Sequence, residues 1–334
     1  MKREVKMSDV KGIEIHDILG LEEPLTKLIE CVSNGIGKIY EPTHIKRIAK
    51  AKQEEIRVIG ETVSQNINLP TSYENGNIYI DATSADELVK RTGNRLLYTE
   101  LRKQQNIESI IGETYSQLKD KEGVTNEPVD QDWLFNFFNN AGDITDEKMQ
   151  KIWGKILAGE IEKPNTYTLR TLNTLKNITS AEARLFEEVA PFICYGTGNN
   201  FLPNDSDLLE KYGITFEKLL KLEDCGLISL NGFVSIVLDG TQAAVHTDEF
   251  VFYMKGKGNI GVYTITECGN QILRAINNRF KNNNDFFLEF FKKAKNNNKD
   301  VTFSAYKIVL KDGINIKYDE KIDLLDDSYN IDNK

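Results

Sequence analysis

The sequence predicts a mainly α chain with a smaller α+β part, in which a helical bundle precedes a mixed module and a C-terminal β extension. Three observations carry the prediction. Apolar residues recur at helical spacing through the first two hundred positions, starting with Leu25, Leu28, Ile29 and Val32. Both tryptophans, Trp133 and Trp153, fall on short amphipathic stretches inside that part. Beyond Pro203 the pattern changes to short β-branched and aromatic runs, such as Val234-Ser235-Ile236-Val237-Leu238 and Phe250-Val251-Phe252-Tyr253-Met254.

Residues 1–120 read as a long-helix N-terminal region. A first helix over 23–40 aligns Leu25, Leu28, Ile29, Val32, Ile36 and Ile39, and Pro42 ends it. A second, from Thr43 to about Gln65, sets Ile45, Ile48, Ile56 and Ile59 beside a basic face of Lys46, Arg47, Lys50 and Arg57. Pro70, Asn75-Gly76 and Ile78-Tyr79-Ile80 predict a loop or small hairpin over 66–84. A long helix then runs from about Ala85 to Lys119, with Arg102, Gln104, Asn106 and Glu108 at its centre. Asp120 to Pro128 is a charged linker.

Residues 128–200 predict a tryptophan-anchored bundle. Trp133, Leu134, Phe137 and Phe138 of one helix meet Ile152, Trp153, Ile156 and Leu157 of the next. Thr145 is placed to cap that second helix, Ile144 to staple onto Met149, and Gly159 to stop it. A third helix covers about Thr168 to Lys176, and Thr179-Ser180-Ala181-Glu182 is the capping box of a fourth. Residues 203–280 place two helices, Asp207 to Tyr212 and Thr215 to Cys225, before a hairpin with a long glycine-rich connection. The strand Val262-Tyr263-Thr264-Ile265 and a closing helix capped by Thr266 complete an order that resembles a winged helix. Residues 281–334 add a helix around Phe286, Phe287, Phe290 and Phe291, a β-hairpin turning on Asp312-Gly313, and an acidic tail.

With these elements in place, the chain resembles the bacterial family known as domain of unknown function 2806. The likeness rests on Trp133-Leu134 with Phe138, on Gln150-x-x-Trp153-x-x-Ile156-Leu157-Ala158-Gly159-Glu160-Ile161, on Leu169-Arg170-Thr171-Leu172 and on Arg102-x-Gln104-x-Asn106-Ile107-Glu108. It spans about residues 95–275. The Gln150, Trp153, Leu157-Ala158 stretch is also similar to one in the abortive-infection alpha family, which is linked to defence against phage. The resemblance implies a bacterial or prophage origin and a defence role. It brings no catalytic site.

Composition and chemistry narrow the function. A net charge of -9 argues against the whole molecule binding nucleic acid by charge. No apolar run approaches the roughly 18 to 20 residues that span a bilayer, and Met1-Lys2-Arg3 leads into charged residues instead of an apolar segment, so a cytoplasmic protein is expected. Cys31, Cys194, Cys225 and Cys268 form no close pair, which predicts buried free thiols. His16, His44 and His246 sit in no catalytic signature, and no cofactor or metal is expected. Gly256 to Gly261 matches a dinucleotide-binding string but does not link a strand to a helix.

Trp133, Gln150, Trp153 and Arg170 are therefore read as structural, with Arg170 either reaching solvent or, preferentially, pairing with Glu160 or Asp132. For Arg102, Gln104, Asn106 and Glu108 a solvated face competes with an interhelical or intersubunit contact. The expected role is a non-enzymatic interaction protein in phage defence, homo-oligomeric through its N-terminal helices, with protein or self as partner. Peripheral membrane contact through the basic face remains open. One alternative is a DNA-binding regulator using the winged helix and the basic N-terminal face, disfavoured because the Thr215 to Cys225 helix sums to -1. Another is an enzyme whose site assembles from residues distant in sequence.

Overall fold

The computed structural model describes residues 23–36, 71–74, 77–80, 87–196, 199–232, 234–276, 281–312 and 315–322. The predicted helix over 43–65 lies outside them, and with it Lys46, Arg47, Lys50 and Arg57; so do His16, His44, Gly313 and the acidic tail. The chain divides into two compact units, Met1–Tyr167 and Thr168–Lys334. The division falls inside the stretch that the sequence suggests as one bundle.

The first unit contains α1 (Glu23–Ile36), the hairpin of β1 (Thr71–Glu74) and β2 (Asn77–Ile80), and three further helices: α2 (Glu87–Leu118), α3 (Gln131–Ala141) and α4 (Glu147–Glu162). Each of the last two starts where a carboxylate can accept the orphan N–H groups of a first turn. Asp130 accepts from Trp133 N at 2.8 Å, and Asp146 accepts from Lys148 N at 2.9 Å and Met149 N at 3.0 Å. Asp146, not Thr145, is thus the cap of α4, since an ionised oxygen answers the positive end of the helix more strongly than a hydroxyl. Leu28 and Val32 of α1, Ile110, Ile111 and Leu118 of α2, Leu134 and Phe137 of α3 and Trp153, Ile156 and Leu157 of α4 are buried together. The apolar stripes of α1 and of the second half of α2 are consumed by this core.

The second unit opens with α5 (Leu169–Asn177) and α6 (Ser180–Val189), the latter held by the predicted Thr179–Glu182 capping box. Next come β3 (Cys194–Gly196), β4 (Asn200–Pro203), α7 (Ser206–Lys211), α8 (Phe216–Asp224), β5 (Ile228–Ser229), β6 (Ser235–His246), β7 (Phe250–Ile265), α9 (Glu267–Ile276), α10 (Asn284–Asn297), β8 (Val301–Asp312) and β9 (Asn315–Ile322). The strands form an antiparallel sheet in the order β4-β3-β6-β7-β8-β9, with β4 and β5 also pairing to β7.

The glycine-rich stretch is not a connection. It lies inside β7, where Gly258 pairs with Leu238 and Lys257 with Asp239, and the turn is the short segment that Thr247 closes by accepting from Phe250 N at 2.9 Å. One sheet face is covered by α10, whose Phe291 stacks on Phe252 at 4.1 Å and lies 6.4 Å from Phe303. β3 and β4 were not anticipated, because runs of three and four residues carry too little alternation to register.

Candidate functional site

The tryptophan motif assembles into a clamp on the loop that follows α4. Trp133 stacks on Phe137 at 5.1 Å, and Phe137 lies 5.1 Å from Trp153, so one phenyl ring separates the two indoles. The Trp133 indole Nε1 donates to Tyr167 O at 2.7 Å. Glu160, 1% exposed, turns its carboxylate to the same loop and accepts from Asn165 N at 2.6 Å, Thr166 N at 3.1 Å and Tyr167 N at 2.9 Å. Asn165 adopts a φ of 66°, which brings three successive N–H groups around one side chain. Burial pushes the Glu160 carboxyl above the ordinary carboxylate range, and the three N–H donors pull against that rise.

Gly159 has a different role from the expected one. The helix continues to Glu162, so Gly159 is interior, and a Cβ there would stand 2.9 Å from the Tyr167 ring. The small residue admits the ring that the loop folds over the helix. Gly159→Ala is expected to destabilise the first unit by about 1–3 kcal/mol, an overpacking penalty, measured by chemical denaturation. A neutral or stabilising result would show that the ring moves freely. At Gly154 a Cβ would stand 2.6 Å from Glu113 Cβ, which sets the close crossing of α2 and α4. Thr114 Oγ1 donates to Gly154 O at 3.2 Å across it.

The second sequence-predicted group also joins these helices. Asn106 is buried and donates through Nδ2 to Gly142 O at 2.8 Å, while its Oδ1 accepts from Gln150 Nε2 at 3.3 Å. Gln150 Nε2 also donates to Ile144 O at 2.8 Å, and Gln150 Oε1 accepts from Ser109 Oγ at 2.7 Å. Glu108 is buried as well and accepts from Gln104 Nε2 at 2.8 Å; Arg102 is exposed. Of the two readings open in the sequence for this group, Asn106 follows the interhelical one through Gln150, and Arg102 the solvated one. The network satisfies the carbonyls of the α3–α4 turn, a duty that backbone groups at a helix end require of something.

Arg170 is exposed, the other of the two outcomes weighed for it, and Glu160 spends both oxygens on backbone N–H groups. Arg170 borders an open cleft of about 590 Å³ with Asn173, Asn177, Glu182 and Cys225. Burial and the nearby Glu182 push the Cys225 thiol up to about 11, so at neutral pH it is a thiol and a poor nucleophile. The other three cysteines are buried. His246 stacks on Tyr195 at 5.3 Å, with Nδ1 2.9 Å from Thr247 O. Among the described residues no group of three or more His, Cys, Asp or Glu side chains is placed to hold a metal ion, and no helix is long and apolar enough to cross a membrane.

Comparison with known proteins agrees with the motif. No curated protein and no solved structure matches the chain. Residues 90–291 match the family described as "Protein of unknown function (DUF2806)". The match takes in α3, α4, their clamp on Tyr167 and the Asn106–Gln150 network. The matched span covers more than half of the sequence, and the chain belongs to the DUF2806 family.

Proposed function

We propose that the chain is a non-enzymatic interaction protein that self-associates through the first half of α2 and acts in bacterial defence against phage. The supporting observation is the turn around Leu96-Leu97-Tyr98. Leu96 is 55% and Tyr98 51% exposed, while Leu97 and Leu101 are half-buried, so this part of α2 presents large apolar side chains to solvent. Large apolar side chains grouped on an exposed helix mark a surface that another molecule covers. A second copy of the chain supplies the same surface in the symmetric pairing that most homo-oligomers use. The defence role rests on the likeness of Gln150, Trp153 and Leu157-Ala158 to the abortive-infection alpha family.

Light scattering on the full chain, with Leu96→Lys and Tyr98→Lys together as the variant, tests the association. Both side chains are outside the core, so the expected result is an oligomer that becomes a folded monomer. A wild-type chain that stays monomeric across micromolar concentrations ends the proposal.

The alternative, a duplex-binding regulator, reads α7, α8, the β6–β7 hairpin and α9 as a winged helix with α8 presented to DNA. The cations of α8 speak against that use. Lys218 is engaged by Glu188 at 3.0 Å and by Gly213 O at 3.0 Å, and Lys221 by Glu217 at 2.8 Å. Phe216 and Leu220, one turn apart, are exposed large apolar groups of this helix. An apolar pair beside neutralised lysines suits a protein surface better than a phosphate backbone.

A further inference from the structure

The sheet of the second unit has one face covered by α10, and the opposite face carries a cluster of tyrosines. Side chains alternate along a strand and directly paired residues share a face. Tyr253 pairs with Ser304, Lys255 with Thr302, Val251 with Tyr306, and Tyr306 in turn with Lys321. The faces are therefore distinct: Phe252 and Phe303 turn to α10, and Tyr253 and Tyr306 turn away from it.

Here Tyr253, Tyr306 and Tyr318 stand with ring centroids 5.1 to 5.7 Å apart and rings inclined by 52° to 83°. Tyr253 Oη donates to Tyr318 Oη at 3.0 Å, which fixes two of the rings. Together with Gln242, Lys255, Thr302 and Ser304 they line an open hollow of about 260 Å³. Among the described residues no carboxylate lines it. Strands β7, β8 and β9 carry six lysines against three carboxylates, a local excess of positive charge in a chain whose net charge is -9.

We propose that this face is a binding site for single-stranded RNA, with bases stacked on Tyr253, Tyr306 and Tyr318 and phosphates drawn by Lys255 and Lys321. Aromatic rings on an open sheet face accept any base, because every base has a π-face, and lysines at the margin follow the backbone. The hollow has room for single bases. A duplex keeps its base faces stacked inside and cannot offer them. The hydroxyl and amide groups of Thr302, Ser304 and Gln242 both donate and accept, as a ribose 2′-hydroxyl requires. The described lining holds no carboxylate, the usual strong acceptor for sugar hydroxyls or a cationic peptide, and the lysines match an anionic ligand instead.

The test is fluorescence anisotropy on the full chain with a labelled oligouridylate of about ten nucleotides, in the range of site sizes for such platforms. Binding that weakens steadily with salt is expected. Tyr318→Ala, an exposed position on an edge strand, is expected to weaken it by about fivefold or more, the loss of one stacked base, while Tyr318→Phe retains it. Lys255→Glu is expected to weaken it and to flatten the salt dependence. No binding at low salt would overturn the proposal, as would wild-type affinity in both Tyr318→Ala and Lys255→Glu. Equal competition by duplex RNA or heparin would reduce the face to a general polyanion contact and overturn it too. An oligothymidylate bound as tightly would overturn the assignment to RNA.

Discussion

Trp153→Ala is expected to destabilise the first unit by about 3–5 kcal/mol, in the range for truncating a buried tryptophan. Trp153 is 0% exposed, packs against Phe137 at 5.1 Å and is surrounded by the core residues of α2, α3 and α4. The cavity left behind cannot collapse easily, because Gly154 already brings α2 and α4 to close approach on the same turn. The indole Nε1 has no hydrogen-bond partner, so the loss is one of packing and not of a polar contact. Trp153→Phe, which removes that unpartnered donor and keeps a ring, is accordingly expected to cost less than half as much. Denaturant unfolding followed by circular dichroism separates the two. An unchanged midpoint in the alanine variant would show that Trp153 does not anchor the core.

Glu160→Ala is expected to have an effect of similar size, about 3–5 kcal/mol, by a different mechanism. Three backbone N–H groups lose their acceptor at once, and a buried donor left unsatisfied costs about 1–3 kcal/mol. Glu160→Gln is expected to rescue only in part, since its Oε1 still accepts while its amide directs N–H toward N–H. The pH dependence has a definite sign. Because burial raises the folded-state pKa of Glu160 above its unfolded value, its contribution to stability is fully present below the ordinary carboxylate range. It declines as pH rises through the raised folded value. The difference in unfolding free energy between wild type and Glu160→Ala is thus expected to be larger at about pH 4 than at about pH 7. A difference that grows with pH would mean that the N–H donors outweigh desolvation.

The helices of both units were legible because their signals are local. Apolar spacing placed α3, α4 and α10, and the Thr179–Glu182 box and the Thr215 and Thr266 caps each sit beside the helix they start. Gly159 was misread because a helix stop and a close contact make the same demand for a missing side chain, and only the position of Tyr167 distinguishes them. The length of β7 was hidden by Gly256, Gly258 and Gly261, which read as a flexible connection but sit in paired positions or beside them. Glu160 gave no sign of its role, since its partners are backbone N–H groups that any sequence provides. Asn106 was visible as an amide beside apolar neighbours and Gln150 as part of the tryptophan motif. Their pairing across 44 positions was not, because it depends on how α2 crosses α4.

The central claim is that the family motif builds one cooperative clamp, in which Trp133 and Glu160 hold the same loop from two sides. A double-mutant cycle between Trp133→Phe and Glu160→Ala tests it most directly, because the first change removes the indole N–H that reaches Tyr167 O and keeps an aromatic ring in the core. If the clamp acts as a unit, the second substitution costs less once the first has released the loop, and the unfolding free energies are expected to show a coupling of about 1 kcal/mol or more. Additivity within about 0.3–0.5 kcal/mol would contradict the claim and leave the two residues as independent contributors to the core.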